Sequence, residues 1–64
     1  MAQCCGCYIG VENPIGHTIC TTRSKYAWDC GTACSLAAQY RYIDCPYSGY
    51  ARNHTFSAPP SYCP

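Results

Sequence analysis

The chain of 64 residues contains eight cysteines and seven tyrosines and carries a net charge of +1. A chain this short buries only about 60% of the surface that its unfolded form exposes, so it usually needs cross-links to fold stably. Four Lys and Arg residues are too few for a nucleic-acid-binding patch, and no apolar run approaches the roughly 20 residues of a membrane-spanning helix.

The first part of the chain predicts two strands joined by a turn. Residues 8–11, YIGV, have strand character. The ENPIG sequence of residues 12–16 predicts a turn through its Asn-Pro pair and its glycine. Residues 17–22, HTICTT, are rich in β-branched side chains and predict a second strand.

The sequence SKYAWDCGTACSLAAQY contains the best helix candidate, predicted over about residues 26–40. Ser24 can cap this helix, and alanines with one leucine give it a partial apolar stripe. Gly31 costs about 1 kcal/mol inside a helix. The helix can therefore begin later instead, near Asp29 or Thr32.

The second half predicts one further strand and then turns. Residues 40–45, YRYIDC, alternate in polarity and predict a third strand, and a short strand is expected at 54–56 in an otherwise turn-rich region. The expected fold is a single small disulfide-rich α+β domain over residues 1–64. In it, one helix packs on an antiparallel sheet of three or four short strands, held by four disulfides.

The cysteine spacing indicates how helix and sheet are joined. Cys5 and Cys7 share one face of a strand, and Cys30 and Cys34 share one face of a helix. A same-face pair on a strand can bridge a same-face pair on a helix, so these two pairs are expected to bond with each other. Cys4 points to the opposite face of the strand. Its candidate partners are Cys20, Cys45 and Cys63.

The bridging of a C-x3-C helix to a C-x-C strand resembles the cysteine-stabilised αβ scaffold of defensins and scorpion-type toxins. The resemblance covers Cys5, Cys7, Cys30 and Cys34. In that family the C-x-C strand follows the helix, whereas here it precedes the helix, and the Gly-x-Cys signal before the final strand is absent. The resemblance implies the mode of cross-linking, with a defensin-like antimicrobial or channel toxin as an alternative function.

Metal and redox chemistry are not favoured by the cysteine pattern. Only Cys4 and Cys7 have the C-x2-C spacing found in zinc sites and redox pairs, with Cys5 between them, and neither a second such pair nor an H-x3-H spacing occurs. No metal or other cofactor is therefore expected. Eight cysteines in so short a chain are typical of disulfide-rich secreted proteins. We expect an extracellular protein whose signal peptide has been removed and whose Met1 derives from expression.

Enzyme activity is not expected. Two histidines, His17 and His54, could combine with Glu12 in acid–base catalysis, but both lie beside turn residues and are predicted to be solvated. A pocket of about 300 Å³ that excludes water is hard to build in a chain with a single leucine. Trp28 is expected to be partly buried, as the centre of a small core.

The tyrosines have two interpretations, which the sequence leaves open. Tyrosine can replace missing aliphatic residues in a core, or it can form a contact surface, because Tyr, Trp and Arg dominate binding hot spots. The contact surface is predicted within residues 40–52, and its candidate members are Tyr40, Arg41, Tyr42, Tyr47, Tyr50 and Arg52. Asn53 begins an Asn-His-Thr sequon, which predicts an exposed loop and a candidate N-glycosylation site.

In size, cysteine content, tyrosine content and low charge, the chain resembles small cysteine-rich secreted effectors of plant-associated fungi. The resemblance implies a monomeric secreted protein that binds a host or competitor target by surface contact, without catalysis. The target is an extracellular protein, a carbohydrate or a membrane. Besides the toxin, a small chitin-binding module is an alternative, since aromatic rings stack on sugars. A net charge of +1 gives little attraction to anionic lipid.

Overall fold

The structure, a computed structural model, describes residues 3–64, and the expectation about Met1 lies outside the described residues. A helix packs against a four-stranded antiparallel sheet with four disulfides, which confirms the predicted fold class. The elements in chain order are β1 (Cys5–Glu12), β2 (Ile19–Thr21), β3 (Lys25–Ala27), α1 (Cys30–Ala38), α2 (Arg41–Asp44), β4 (Tyr50–Ser57) and a 3-10 turn (Pro60–Tyr62).

Strand β1 is the centre of the sheet because it pairs with all three other strands. Along one edge it pairs with β4 over its full length, from Cys5 opposite Ser57 to Glu12 opposite Tyr50. Its other edge is shared by β3 and β2, which pair with the beginning and the end of β1. The strands predicted at 8–11 and 54–56 lie within β1 and β4, whereas the strand predicted at 17–22 forms only over Ile19–Thr21, because residues 17 and 18 belong to the preceding turn. Strands β1 and β4 are longer than predicted, because they pair with each other over their full length.

The predicted turn between the first two strands is confirmed. The Asn13 amide donates to the Thr18 carbonyl at 2.8 Å, and the Asn13 side chain accepts from the Ile15 amide at 2.9 Å. Gly16 and His17 both have positive φ, at 88° and 58°. A glycine at the first of these positions adopts the left-handed conformation without steric cost, which allows the chain to reverse.

Helix α1 begins at Cys30, so the prediction of a helix from about residue 26 is wrong and the later start near Asp29 is confirmed. Asp29 is the N-cap: its carboxylate accepts from the Thr32 amide at 2.9 Å and from the Thr32 hydroxyl at 2.6 Å. The preceding residues 25–27 form β3, because they pair with residues 5–7 of β1. Sheet pairing with a distant segment thus overrides the local helical preference.

The third strand predicted over 40–45 is also wrong, because Arg41–Asp44 forms the short helix α2. The Arg41 guanidinium is buried and donates to the carbonyls of Cys45 at 2.7 Å and Tyr47 at 3.1 Å. The Asp44 carboxylate accepts from the backbone amide and the guanidinium of Arg23. These contacts hold both ends of α2.

The disulfides join the helix to the sheet as predicted. Cys5 bonds with Cys30 and Cys7 with Cys34. The remaining bonds are Cys4–Cys63 and Cys20–Cys45. Each disulfide is typically worth about 2–4 kcal/mol. The half-cystines also fill the core, whose largest fully buried side chains are Val11, Cys4, Cys7 and Cys45.

Candidate functional site

The two faces of the sheet differ in what covers them. The odd-numbered residues of β1 face α1: Cys5 and Cys7 are bonded to it, and Ile9 and Val11 pack in a core cluster with Ala37. Because side chains alternate along a strand, the even-numbered residues point to the opposite face. Residues opposite each other on paired strands share a face, so the even-numbered residues of β4 and Tyr26 of β3 lie on this second face as well.

Five aromatic rings form a row on this second face. From one end to the other, neighbouring ring centroids are 5.1, 6.1, 6.1 and 5.0 Å apart. These distances lie within the range of favourable aromatic pairs. The row is called the ring face and consists, in order, of Tyr62, Tyr26, Phe56, Tyr8 and His54.

Two glycines of β1 make the row possible. The Phe56 ring lies against Gly6, where an added Cβ would be 2.5 Å from Cε2 of the ring. The His54 ring lies against Gly10, where a Cβ would be 3.1 Å from Nε2. Between these glycines, Tyr8 stacks on His54 at an interplanar angle of 20°. Alternating glycine and tyrosine on β1 thus seats the rings of β4 on the backbone of the central strand.

A cleft of about 200 Å³ lies at the His54 end of the ring face. Arg52 stacks over the Tyr50 ring, with the guanidinium carbon 5.1 Å from the ring centroid. The cleft therefore offers a carboxylate, a guanidinium and an imidazole beside apolar surface. Its lining residues are Gly10, Glu12, Ile19, Tyr50, Arg52 and His54.

No protein-family model, curated protein or solved structure matches the chain. A function therefore has to be inferred from the surface itself. The sequence prediction did not identify the ring face, because it depends on the pairing of β1 with β4, which are separated by most of the chain. The sequence does contain a signal of period two. In β1, Gly6, Tyr8 and Gly10 alternate with core residues, and in β4, His54 and Phe56 alternate with polar residues.

The fold places the residues of the predicted contact segment, 40–52, in different parts of the molecule. Arg41 is buried, and its guanidinium binds backbone carbonyls, which removes it from any contact surface. Tyr47 packs against the core cluster. Tyr50 and Arg52 lie in β4 and line the cleft beside the ring face.

The two remaining tyrosines of that segment lie near α2. Arg23 and Lys25 lie over the Tyr40 ring, 4.1 and 4.8 Å from its centroid. Tyr42 is 69% exposed, and the Arg41 guanidinium stacks on its ring at 4.6 Å. A contact role for Tyr40 and Tyr42 stays a prediction, and the structure does not include either residue in the row of rings.

Trp28 lies at the surface, so the prediction that it forms the centre of the core is wrong. Its side chain is 43% exposed, and its indole N–H donates to the Pro64 carbonyl at 2.7 Å. The core centre is occupied instead by half-cystines and small residues, including Ala33 and Ala37 of α1. Trp28 lines a cavity of about 300 Å³ near the Ser57 end of β4.

The histidines and the sequon have different surroundings. His17 is exposed in the turn, with Nδ1 3.5 Å from a Glu12 carboxylate oxygen, so its predicted solvation is confirmed. His54 is also exposed but stacks on Tyr8. Asn53 is exposed as predicted, although it lies in strand β4 and not in a loop.

The groups whose pKa values are shifted take part in hydrogen bonds that hold the fold. Hydrogen bonds from the Arg23 side chain and backbone lower the pKa of Asp44 to about 2, and the same pair raises the pKa of Arg23. Hydrogen bonds from Thr32 lower the pKa of Asp29, which stabilises the charged N-cap of α1.

All eight cysteines are in disulfides, so none supplies a thiolate. Within residues 3–64 there is no cluster of three or more His, Cys, Asp or Glu side chains arranged to hold a metal. Over the same residues, no helix has the length and apolar character needed to cross a membrane.

Proposed function

We propose that this protein is a secreted, disulfide-stabilised binding protein that acts by surface contact without catalysis, and that the ring face is its contact surface. The observation that carries the proposal is the row of five rings on the sheet face opposite α1. Aromatic side chains supply large contact areas and dominate binding hot spots. Four disulfides in a small protein are consistent with an extracellular location.

The ring face has the properties of a preformed contact surface. Phe56 is 39% exposed and Tyr62 is 57% exposed, so the rings are seated on the protein but remain accessible. Tyr8 belongs to β1, and Phe56 and His54 rest on its glycines. All other strands pair with β1, and two disulfides attach it to α1. A contact surface held this rigidly loses little conformational entropy on binding.

The target in this proposal is an extracellular molecule of a host or a competitor, as for the secreted effectors that the composition resembles. The distribution of positive charge favours this function over membrane attack. Of the four cationic side chains, Arg23 is paired with Asp44 and Arg41 is buried against carbonyls. Lys25 and Arg52 remain, and two cations attract anionic lipid only weakly.

The proposal is tested by binding to the extracellular fluid of candidate hosts and competitors. The protein is immobilised in three forms: the wild type, a Tyr8→Ala/Phe56→Ala variant, and a Tyr42→Ala control that removes an exposed tyrosine outside the ring face. We expect a partner that the wild type and the control retain and the ring-face variant loses. Leakage from anionic vesicles is measured in parallel.

Two outcomes would refute the proposal. One is a partner that the ring-face variant retains as well as the wild type does. The other is the absence of any saturable partner together with vesicle leakage by the wild type, which would favour the defensin-like toxin. Disulfide mapping and a thermal melt of each variant ensure that a loss of binding does not reflect a loss of fold.

A carbohydrate-binding module is the second candidate function, and the cleft beside the ring face favours it. Sugar recognition combines stacking on aromatic rings with hydrogen bonds to hydroxyl groups. At the His54 end, the row of rings meets Glu12 and Arg52, which accept and donate hydrogen bonds, respectively. This arrangement suits a polysaccharide chain that lies along the rings with one sugar in the cleft.

Depletion from solution by insoluble chitin and cellulose tests this second function. We expect the wild type to be depleted and a soluble chitin or cellulose oligosaccharide to reverse the depletion. An Arg52→Ala variant should bind more weakly while retaining its melting temperature. Equal depletion of the wild type and the Tyr8→Ala/Phe56→Ala variant would exclude the ring face as a sugar platform.

A further inference from the structure

We infer that the outer edge of β4, together with the groove between β4 and α1, binds an extended peptide segment of another protein by strand addition. This site is separate from the ring face and does not depend on the function proposed for it. The two features that point to it are a row of unpaired backbone groups and a groove lined by small uncharged side chains.

The unpaired backbone groups follow from the register of β4. The Ala58 amide donates to the Cys4 carbonyl at 3.0 Å, so Ala58 and Cys4 form a hydrogen-bonded pair. In an antiparallel ladder such pairs alternate with pairs that do not bond to each other. The even-numbered residues of β4 therefore bond to β1. The amides and carbonyls that point away from β1 belong to Ala51, Asn53, Thr55 and Ser57.

This outer edge is the kind of surface to which another strand adds. Four residues present alternating donors and acceptors along an eight-residue strand, and no described strand lies on that side of β4. Natural proteins commonly protect long edges with lysine, proline, a bulge or a covering element. Strand β4 contains neither lysine nor proline, and every residue in it is exposed.

The groove above β4 exists because α1 is displaced toward the other edge of the sheet. Both disulfides of α1 go to β1, and the helix packs on β1 and β3 far more than on β4. The space left over β4 has a volume of about 410 Å³. It is lined by Cys30, Gly31, Cys34, Ser35, Ala38, Asn53 and Thr55, none of which is charged.

The side of α1 that borders the groove is built from small residues at helical spacing. Gly31, Ser35 and Ala38 are separated by four and three residues and therefore lie on one side of the helix. A peptide strand beside β4 would direct every second side chain toward α1, into the groove. The small lining residues leave room for medium-sized side chains there, and the absence of charge selects uncharged ones.

Trp28 extends this surface at the Ser57 end of β4. It lines the cavity of about 300 Å³ together with Thr55 and Ser57, so an apolar side chain near one end of the peptide could pack on its exposed ring. The predicted ligand is therefore an extended segment whose groove-facing residues are uncharged and one of whose ends is apolar. Main-chain hydrogen bonds supply affinity in this mode, and the groove supplies specificity.

A peptide fits this site better than a second copy of the chain does. In an antiparallel pairing of two β4 strands, the residues facing the groove would be the short side chains of Asn53 and Thr55 from the partner. Those side chains would leave most of the groove unfilled. A peptide can place larger side chains there, so the single extended segment is the occupant that we propose.

The experiment uses a phage-displayed library of cysteine-free peptides of about twelve residues, enough to span the edge. It is selected on unglycosylated folded protein, because a glycan on Asn53 would occupy the groove. The test variant is Thr55→Pro, which removes an outward amide while leaving the amides that bond to β1. The matched control Thr55→Val changes the side chain and keeps the amide.

We expect selected peptides to bind the wild type, Thr55→Val and a Tyr8→Ala variant equally, and Thr55→Pro at least about tenfold more weakly. A Ser35→Tyr variant, which fills the groove, should also lose binding, whereas Ser35→Ala should not. Hydrogen exchange should show that peptide protects the amides of residues 51, 53, 55 and 57. If thermal melting shows that Thr55→Pro is unfolded, peptide binding by Ser35→Tyr and the hydrogen-exchange protection pattern test the inference instead.

Three results would overturn the inference. They are a library that yields no binding peptide, peptides that bind Thr55→Pro as tightly as Thr55→Val when both are folded, and peptides whose binding depends on Tyr8. The last result would place the peptides on the ring face. A fourth result would also overturn it: a dimer in sedimentation that Thr55→Pro dissociates, because a second copy of the chain would then occupy the edge.

Discussion

The seating of Phe56 on Gly6 makes a quantitative prediction for a Gly6→Ala substitution. The new Cβ would be 2.5 Å from Cε2 and 3.0 Å from Cε1 of the Phe56 ring, so the ring must move. Moving it disrupts the pairs with Tyr8 and Tyr26, both at 6.1 Å, each worth about 0.5–1.5 kcal/mol. Replacing glycine restores about 0.4–1 kcal/mol by restricting the unfolded chain. The net loss of stability is thus about 1–2 kcal/mol.

The assay is thermal unfolding with the disulfides intact, in which this loss lowers the melting temperature by about 5–15 °C. Two other glycines provide comparison variants, one whose added Cβ would meet a side-chain oxygen and one whose added Cβ would meet backbone. Gly31→Ala gains up to about 1 kcal/mol of helix propensity, but its Cβ would lie 3.3 Å from the Asp29 carboxylate oxygen that caps α1, so its stability should stay near that of the wild type. Gly49→Ala would overlap the backbone carbonyl of Glu12 and lie 3.0 Å from Val11 Cγ1. It should therefore be more harmful than Gly6→Ala.

The expected order of melting temperatures is wild type and Gly31→Ala highest, then Gly6→Ala, then Gly49→Ala. A Gly6→Ala variant that melts at or above the wild-type temperature, while Gly49→Ala melts below it, would refute this prediction. That result would mean that the Phe56 ring does not rest on the Gly6 backbone. The near-UV circular dichroism of Gly6→Ala should change as well, because two aromatic pairs are altered.

Three further substitutions test the contacts that hold the rest of the fold. Arg41→Leu leaves the carbonyls of Cys45 and Tyr47 without their donor and should cost about 2–4 kcal/mol in denaturant unfolding, whereas the surface control Arg52→Leu should change stability by less than about 0.5 kcal/mol. Equal effects of the two would contradict the buried role of Arg41. For Asp44, the folded pKa of about 2 lies below the unfolded value of about 3.9. The ionised carboxylate therefore stabilises the fold above about pH 4, and this stabilisation is lost as the pH falls through about 2. Melting temperatures measured from neutral to acidic pH should fall more steeply for the wild type than for Asp44→Asn, and parallel curves would disprove the linkage. Replacing both Cys20 and Cys45 by alanine removes the bond between β2 and the end of α2 and should cost about 2–4 kcal/mol in the same denaturant assay, so a loss below about 1 kcal/mol would show that the remaining contacts of α2 suffice.

The sequence predicts this fold well where residue spacing places two cysteines on one face of a strand or helix and disulfides then join the two faces. The two-residue spacing of Cys5 and Cys7 and the four-residue spacing of Cys30 and Cys34 define faces of a strand and a helix, whatever else the chain does. The disulfides between them follow from those faces. The choice of Cys63 as the partner of Cys4 depends on where the chain end lies, which spacing does not specify.

The prediction fails where a distant partner decides the conformation. Residues 25–27 have helix-compatible side chains but become a strand because β1 offers them a free edge. Residues 40–45 alternate like a strand but form α2. The Arg41 guanidinium binds the Cys45 carbonyl at the end of this helix, and the Asp44 carboxylate binds the backbone amide of the distant Arg23. The ring face needs β1 and β4 in register, so the tyrosine excess predicts a contact surface within residues 40–52 but does not reveal the ring face.

The central position of β1 also affects how the protein is made. This strand is synthesised before the other strands, whereas its full-length partner β4 and the cysteine that closes Cys4–Cys63 are synthesised after them. A nascent chain therefore cannot complete its sheet, and the many contacts between distant residues make folding slow once synthesis ends. Thiol trapping of ribosome-bound chains should find Cys4 still reduced. The bond between Cys4 and Cys63 can therefore form only after nearly all of the described chain has been synthesised.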